Sequence, residues 1–203
     1  MTDYYQQHGQ DYFEETVGFD PAPFLSIFSR RLPAGARVLD VGCGSGRDLL
    51  WLKTRGFDPI GFERASGLAE LAAGHSGCHV ITGDFDCFDF ASIFVDAVML
   101  CGSLVHVPHH RFAAVLKRLL TALGAPGGNP TGGWVYLSMK RGQGRQTDRR
   151  GRVFYYWQPE ALEDTLAGCG LTVVDRQQSP SADGAGKTWM GYVMRAAGFG
   201  LSA

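Results

Sequence analysis

The chain has 203 residues, of which 45% are hydrophobic, 12% aromatic and 19% charged, with a formal net charge of −1. This is enough apolar material for one well-buried core. The near-neutral balance offers no general attraction to polyanions, so nonspecific nucleic-acid or membrane-surface binding is not indicated. Five scattered cysteines (Cys43, Cys78, Cys87, Cys101 and Cys169), none in a C-x-x-C pair, argue against a zinc site and a disulfide framework. They fit reduced thiols in a cytoplasm, and no metal site is expected. The amino terminus lacks the positive start and apolar core of a secretory signal. The longest apolar region, Ile93 to Val107, is broken by Asp96 and is too short to span a bilayer.

Residues 1–20 are polar and aromatic, and Tyr4, Tyr5 and Tyr12 suit either a lid or a docked terminus. Pro21 then opens a helix whose apolar residues Phe24, Leu25, Ile27, Phe28 and Leu32 share one broad face. A strand is predicted over 36–41, a helix over 46–55, a strand over 57–62 and a helix over 65–74. Strands over 78–82 and 94–101 follow, then a helix over 109–123 carrying Phe112, Val115, Leu116, Leu119, Leu120 and Leu123 at helical spacing. Ala125 to Gly133 is a turn-rich connection. Trp134 to Met139 is the fifth strand, and the basic tract from Lys140 to Arg152 fits a solvated, mobile loop. Gln158-Pro159-Glu160 opens a helix to Ala167. Two strands, Leu171 to Gln177 and Thr188 to Met194, close the chain around a polar loop, Ser179 to Gly186. Repeated strand–helix units of this length predict an α/β fold with a parallel sheet and helices on both faces.

The densest chemistry lies in Val38-Leu39-Asp40-Val41-Gly42-Cys43-Gly44-Ser45-Gly46-Arg47-Asp48. A short apolar strand stops at a glycine turn and enters a helix, whose free N–H groups suit a carboxylate or phosphate. Gly42, Gly44 and Gly46 let the backbone approach a ligand closely. Arg47 occupies the position where the dinucleotide fingerprint places its third glycine, which weakens a nicotinamide-dependent oxidoreductase reading. Glu63 ends the second strand, close to the roughly 20-residue offset at which an acid meets a ribose. Its carboxylate only accepts hydrogen bonds, as two vicinal hydroxyls require, though a solvated strand-end acid has the same pattern. Asp84 and Phe85 follow the third strand, and Cys101, Gly102 and Ser103 end the fourth. Each lies at the carboxyl end of its own strand, where open α/β sheets bind ligands.

The G-x-G-x-G turn behind an acid resembles motif I of the class I S-adenosylmethionine (SAM) methyltransferases. The likeness runs along nearly the whole chain. It is strongest to small bacterial enzymes with an LDxGCGSGRD motif and an SLLHVP-type segment, here LDVGCGSGRD and SLVHVP (Ser103 to Pro108), a GR-F-Y segment (Gly151 to Trp157) and a late Trp189. The resemblance implies a Rossmann-like, doubly wound, seven-stranded sheet, mostly parallel with an antiparallel last strand. It implies SAM as cofactor and S-adenosylhomocysteine (SAH) as product, in an enzyme of class EC 2.1.1.-. The SAM carboxylate would sit at the Gly44–Gly46 turn, the ribose on Glu63 and the adenine on Asp84 and Phe85. Asp40 would orient the turn and the methionyl amine. Gly42, Cys43, Arg47, Asp48, Arg64, Cys101, Gly102 and Ser103 complete the expected cofactor set.

The acceptor expected is a small molecule. The N/D-P-P-Y segment of base and glutamine methyltransferases is missing, because Cys101-Gly102-Ser103-Leu104 stands there, and Leu100 replaces the proline of cytosine C5 enzymes. His106 is the candidate general base, with a packing or capping histidine as the plainer alternative. Tyr4, Tyr5, Tyr12, Lys140, Tyr155 and Tyr156 are candidate lid or acceptor-pocket residues, though for the last two, aromatic clusters are more often core. Where the resembling group carries acids after the fifth-strand lysine, this chain has Arg141, Gln143 and Arg145. Residues 1–20 are expected to form a lid over one SAM-binding domain, 21–203. A SAM-binding protein without transferase activity shares all the cofactor residues and remains an alternative reading.

Overall fold

The glycine turn lies at the point where a seven-stranded sheet reverses its strand order. The computed structural model describes residues 4–123, 132–180 and 188–196. Strands β1 (Arg37–Val41), β2 (Asp58–Glu63), β3 (Val80–Thr82), β4 (Ala97–Cys101), β5 (Trp134–Lys140), β8 (Leu171–Pro180) and β9 (Thr188–Ala196) form one sheet in the order β3-β2-β1-β4-β5-β9-β8. The β3-β2-β1-β4-β5 pairings are all parallel, and β9 inserts antiparallel between β5 and β8. The expected Rossmann-like sheet with its antiparallel last strand is therefore present. A separate antiparallel hairpin joins β6 (Arg145–Thr147) and β7 (Val153–Tyr155).

Side-chain alternation on the strands sorts the helices to the two faces. Val38, Ala97 and Met99 pack with Leu25 and Phe28 of α3 (Ala22–Ser29) and with Trp51 and Leu52 of α4 (Arg47–Lys53). Leu39, Val41, Val98 and Leu100 meet the other face, with Phe112 and Leu116 of α6 (His109–Leu120) and Leu162 and Leu166 of α7 (Pro159–Ala167). Beside α4, α5 (Ser66–Ser76) covers β2 and β3 and ends at Gly77, whose left-handed φ of 61° stops it. On β1 the same alternation sends Asp40 to the α4 face. Because β1 ends there, its carboxylate is delivered to the crevice rather than to the core.

Two regions carry secondary structure that the sequence reading did not assign. Residues 1–20 hold two helices, α1 (Tyr4–Gln7) and α2 (Gly9–Thr16). Helix α2 packs on α5, where Gly9 lets the backbones approach: a Cβ there would lie 3.4 Å from Cβ of Leu68. The basic tract after β5 is not simply a solvated loop, since it contains the β6–β7 hairpin. Smaller shifts also occur: β4 begins at Ala97 rather than at 94, and the helical turn 121–123 after α6 is 3-10. Most of the turn-rich connection Ala125 to Gly133 and of the loop Ser179 to Gly186 lies outside the described residues.

Candidate cofactor and acceptor site

Three consecutive demands on backbone shape explain the glycines. Gly42, Gly44 and Gly46 have φ of 75°, 55° and 75°, in the left-handed region that other residues enter only with strain. The turn is pinned to β2, where the Phe62 carbonyl accepts from the N–H groups of Gly42 (2.7 Å) and Cys43 (3.2 Å). Each glycine also faces a different neighbour. A Cβ on Gly42 would lie 2.6 Å from Cβ of Ser103, one on Gly44 3.2 Å from Tyr12 Cε1, and one on Gly46 2.6 Å from the Ala72 carbonyl oxygen. Gly46 therefore serves the α4–α5 contact, while Gly42 and Gly44 face the crevice between β1, β4 and α2.

Beneath this turn Asp40 is 2% exposed, and its Oδ2 has no hydrogen-bond partner. Burial pushes its carboxyl well above the usual range, with Asp48 and Glu63 adding to the shift and Arg47 opposing it. Burial works against the Arg47 charge, but the Asp48 carboxylate more than offsets it, through bonds of 2.6 Å and 3.0 Å. Burial likewise raises the Cys43 thiol. Glu63, 8% exposed, brackets the site: its Oε2 accepts from Gly44 N–H (3.2 Å), its Oε1 from Arg64 and Ala65 N–H (2.8 Å and 3.0 Å). This tie between the end of β2 and the glycine turn is a role the sequence reading missed. Asp84 folds its own loop, Oδ1 accepting from Asp86 N–H at 2.9 Å, and its Oδ2 lies 3.9 Å from Arg64. Phe85 is half-buried beside it against the core.

Beyond the turn, β4 ends in half-buried Cys101, whose thiol pKa is raised by desolvation and which accepts from Ser138 Oγ at 3.9 Å. Gly102 has φ 67°, and a Cβ there would stand 3.3 Å from the Trp189 ring. The Ser103 hydroxyl oxygen is buried without a partner, like Asp40 Oδ2. His106 follows in a 3-10 turn. Its Nδ1 contacts the Val153 carbonyl (2.5 Å), its Nε2 the Tyr5 hydroxyl (2.9 Å), and its ring packs on Phe154 at 4.7 Å. A carbonyl only accepts, so Nδ1 carries the proton and Nε2 accepts from Tyr5. Burial lowers the His106 pKa; the Val153 bond opposes this, Arg152 and Lys140 reinforce it, and Asp148 opposes it.

Two amino-terminal tyrosines pack against these residues. Tyr12 stands against Gly44, and Tyr5 meets its ring edge-on at 5.0 Å before reaching His106. Tyr4 takes a hydrogen bond from Arg150, which also holds Glu15 through two contacts of 2.5 Å and 2.6 Å. Lys140, 8% exposed, places its ammonium 4.3 Å from the Phe154 ring centre and 5.2 Å from that of Trp189. Tyr156 is buried in the core cluster, and Tyr155 lies half-exposed against His109. The structure thus brings Tyr5, Tyr12, Lys140 and His106 to one crevice and sets Tyr156 apart. Among the described residues no cluster of three or more His, Cys, Asp or Glu side chains has the makings of a metal site. No described helix is long and apolar enough to cross a membrane.

A family model described as methyltransferase domain matches residues 13–176. The chain belongs to the class I SAM-dependent methyltransferases. Solved structures of this fold agree. A 1,6-didemethyltoxoflavin N1-methyltransferase from Burkholderia thailandensis, crystallised with 1,6-didemethyltoxoflavin and SAH, is 19% identical with a TM-score of 0.73, over 96% of this chain and 88% of that one. A TehB-like SAM-dependent methyltransferase from Corynebacterium glutamicum is 19% identical with a TM-score of 0.67, over 94% and 98%. The [4+2]-cyclase SpnF is 17% identical with a TM-score of 0.68, over 95% and 96%. At these identities the likeness is one of fold, and the cyclase illustrates that a shared fold does not dictate the chemistry. Comparison with curated proteins gives no match.

Proposed function

We propose that this chain transfers a methyl group from SAM to a small-molecule acceptor. The observation that carries the reading is Asp40 Oδ2, a buried acceptor without a partner beneath a turn of left-handed glycines. An orphaned carboxylate oxygen is costly unless a ligand completes it, and an ammonium group such as the methionyl amine of SAM does so. Glu63 would accept from the ribose hydroxyls, Asp84 and Phe85 would receive the adenine, and Gly44 to Arg47 would face the methionyl end. Cys43, Asp48, Arg64, Cys101, Gly102 and Ser103 line the remaining cofactor side. The sulfonium supplies an already activated methyl group, so the protein's task is alignment and exclusion of water. Residues 1–20 act as a lid over a domain formed by 21–203, with Tyr5 and Tyr12 facing the crevice. Unpaired cysteines support a cytoplasmic site of action.

Titration with SAM, SAH and NAD by calorimetry, followed by a methyl-transfer screen scored by SAH release, tests the proposal. Binding of both sulfur compounds and not NAD, with turnover on a hydroxyl or amine acceptor, is expected. Binding without any transfer would favour a SAM-binding protein that is not a transferase.

A further inference from the structure

The β6–β7 hairpin after β5 organises both sides of His106. Val153, on β7, accepts from His106 Nδ1. Arg150, in the turn of the same hairpin, grips Glu15 of α2 and the Tyr4 hydroxyl of α1. Arg152 is held by Asp148 (2.8 Å from Nε) and places its guanidinium 5.2 Å from the centre of the Tyr4 ring. The next residue on α1, Tyr5, is thereby presented to His106 Nε2 at 2.9 Å. One hairpin fixes the histidine from one side and the tyrosine's helix from the other.

This geometry constrains any proton transfer. Neutral imidazole has one lone pair in the ring plane, on the nitrogen without hydrogen. Here that lone pair is occupied by the Tyr5 hydroxyl, so an acceptor's proton meets the Tyr5 oxygen before it meets His106. The phenolic oxygen already accepts from the Arg152 guanidinium and keeps a further lone pair to receive the proton.

Resting on the methyltransferase reading above, we propose that Tyr5 and His106 work as one proton-accepting pair, complete only when α1 lies over the crevice. It serves acceptors that must lose a proton, namely hydroxyl or ring N–H groups. In the step, the acceptor's proton passes to the Tyr5 oxygen while the Tyr5 proton passes to His106 Nε2. The electron pair left on the acceptor atom forms the bond to the methyl carbon, and the carbon–sulfur bonding pair stays on sulfur. Products are methylated acceptor, neutral SAH and an imidazolium whose Nδ1–H still bonds Val153, which then releases its proton to solvent. Closure of the lid and assembly of the base are one event, so a proton is removed only in a covered site. A thiolate, already ionised, gains nothing from the pair.

The charged and titratable groups facing the pair are Arg152 and Asp148 from the hairpin, Lys140 from β5, Tyr12 from α2, and Glu63 at the end of β2. Burial raises Tyr5 and lowers His106, so both are neutral near pH 7.

Tyr5→Phe keeps the ring and removes only the hydroxyl. Nitrogen NMR of His106, in the free chain and with SAH, reads the pair without any acceptor. The expected result is Nδ1 protonated and Nε2 bare at neutral pH, with the His106 pKa rising about half to one unit in Tyr5→Phe, as loss of a bond to the neutral form requires. SAH affinity should change little. With a hydroxyl acceptor that the chain methylates, kcat should fall about tenfold or more. A proton on Nε2, equal titration in the two proteins, or wild-type turnover by Tyr5→Phe would overturn the proposal. Failure of SAH to bind either protein would instead overturn the cofactor reading, because His106 is read in the free chain as well.

Discussion

Gly46 and Ala72 meet backbone to backbone: a Cβ on Gly46 would lie 2.6 Å from the Ala72 carbonyl oxygen and 2.9 Å from its Cα. Neither atom is the end of a flexible side chain, and Gly46 also holds a φ of 75°. Gly46→Ala therefore combines left-handed strain with overpacking and should cost about 2–5 kcal/mol of stability. Urea denaturation measures it. Gly44→Ala meets the Tyr12 ring of α2 at 3.2 Å instead. Its loss should appear mainly as weakened SAH binding.

Glu63 accepts from three backbone N–H groups and is also the proposed ribose ligand. Glu63→Ala should weaken SAH binding by roughly 1–3 kcal/mol and lower stability by about 1 kcal/mol or more. A folded variant with wild-type affinity would remove Glu63 from the site.

How much of this site is legible in the sequence depends on how local its causes are. Asp40, the three glycines and Glu63 can be read because a strand end, a turn and a helix start follow one another along the chain. The Tyr5–His106 and His106–Val153 contacts join residues 101 and 47 positions apart, and no local pattern announces such pairs. Helix α2 has only Gly9 fully buried, so it carries no core stripe to betray it. In the hairpin, β6 is exposed throughout and lacks the apolar alternation that marks a strand. The sheet was legible for the opposite reason, since β1 and β4 are apolar runs buried on both faces.

Asp40 makes the free protein and its complex respond differently to pH. Its folded pKa is raised, so the stability it contributes is complete below the ordinary carboxylate pKa and is lost as pH rises through the raised value. A ligand ammonium favours the ionised form, so SAH should bind more tightly as pH rises through that same window, releasing protons. Calorimetry in buffers of different ionisation enthalpy detects the release. Asp40→Asn should abolish it and weaken binding by about 1–3 kcal/mol.

Arg150 ties the hairpin to both α1 and α2. Arg150→Ala should speed SAH dissociation several-fold in stopped-flow fluorescence, and high salt should move the wild-type protein toward the same rate, because exposed ion pairs are screened. Equal off-rates at low salt would mean that these helices do not cover the cofactor.

Calorimetric titration of the wild-type chain with SAH is the most direct test of the account. It should give saturable one-to-one binding, lost with Asp40 and Glu63 both replaced and absent for NAD. A folded wild-type chain that takes up no SAH, or takes up NAD equally well, would contradict it.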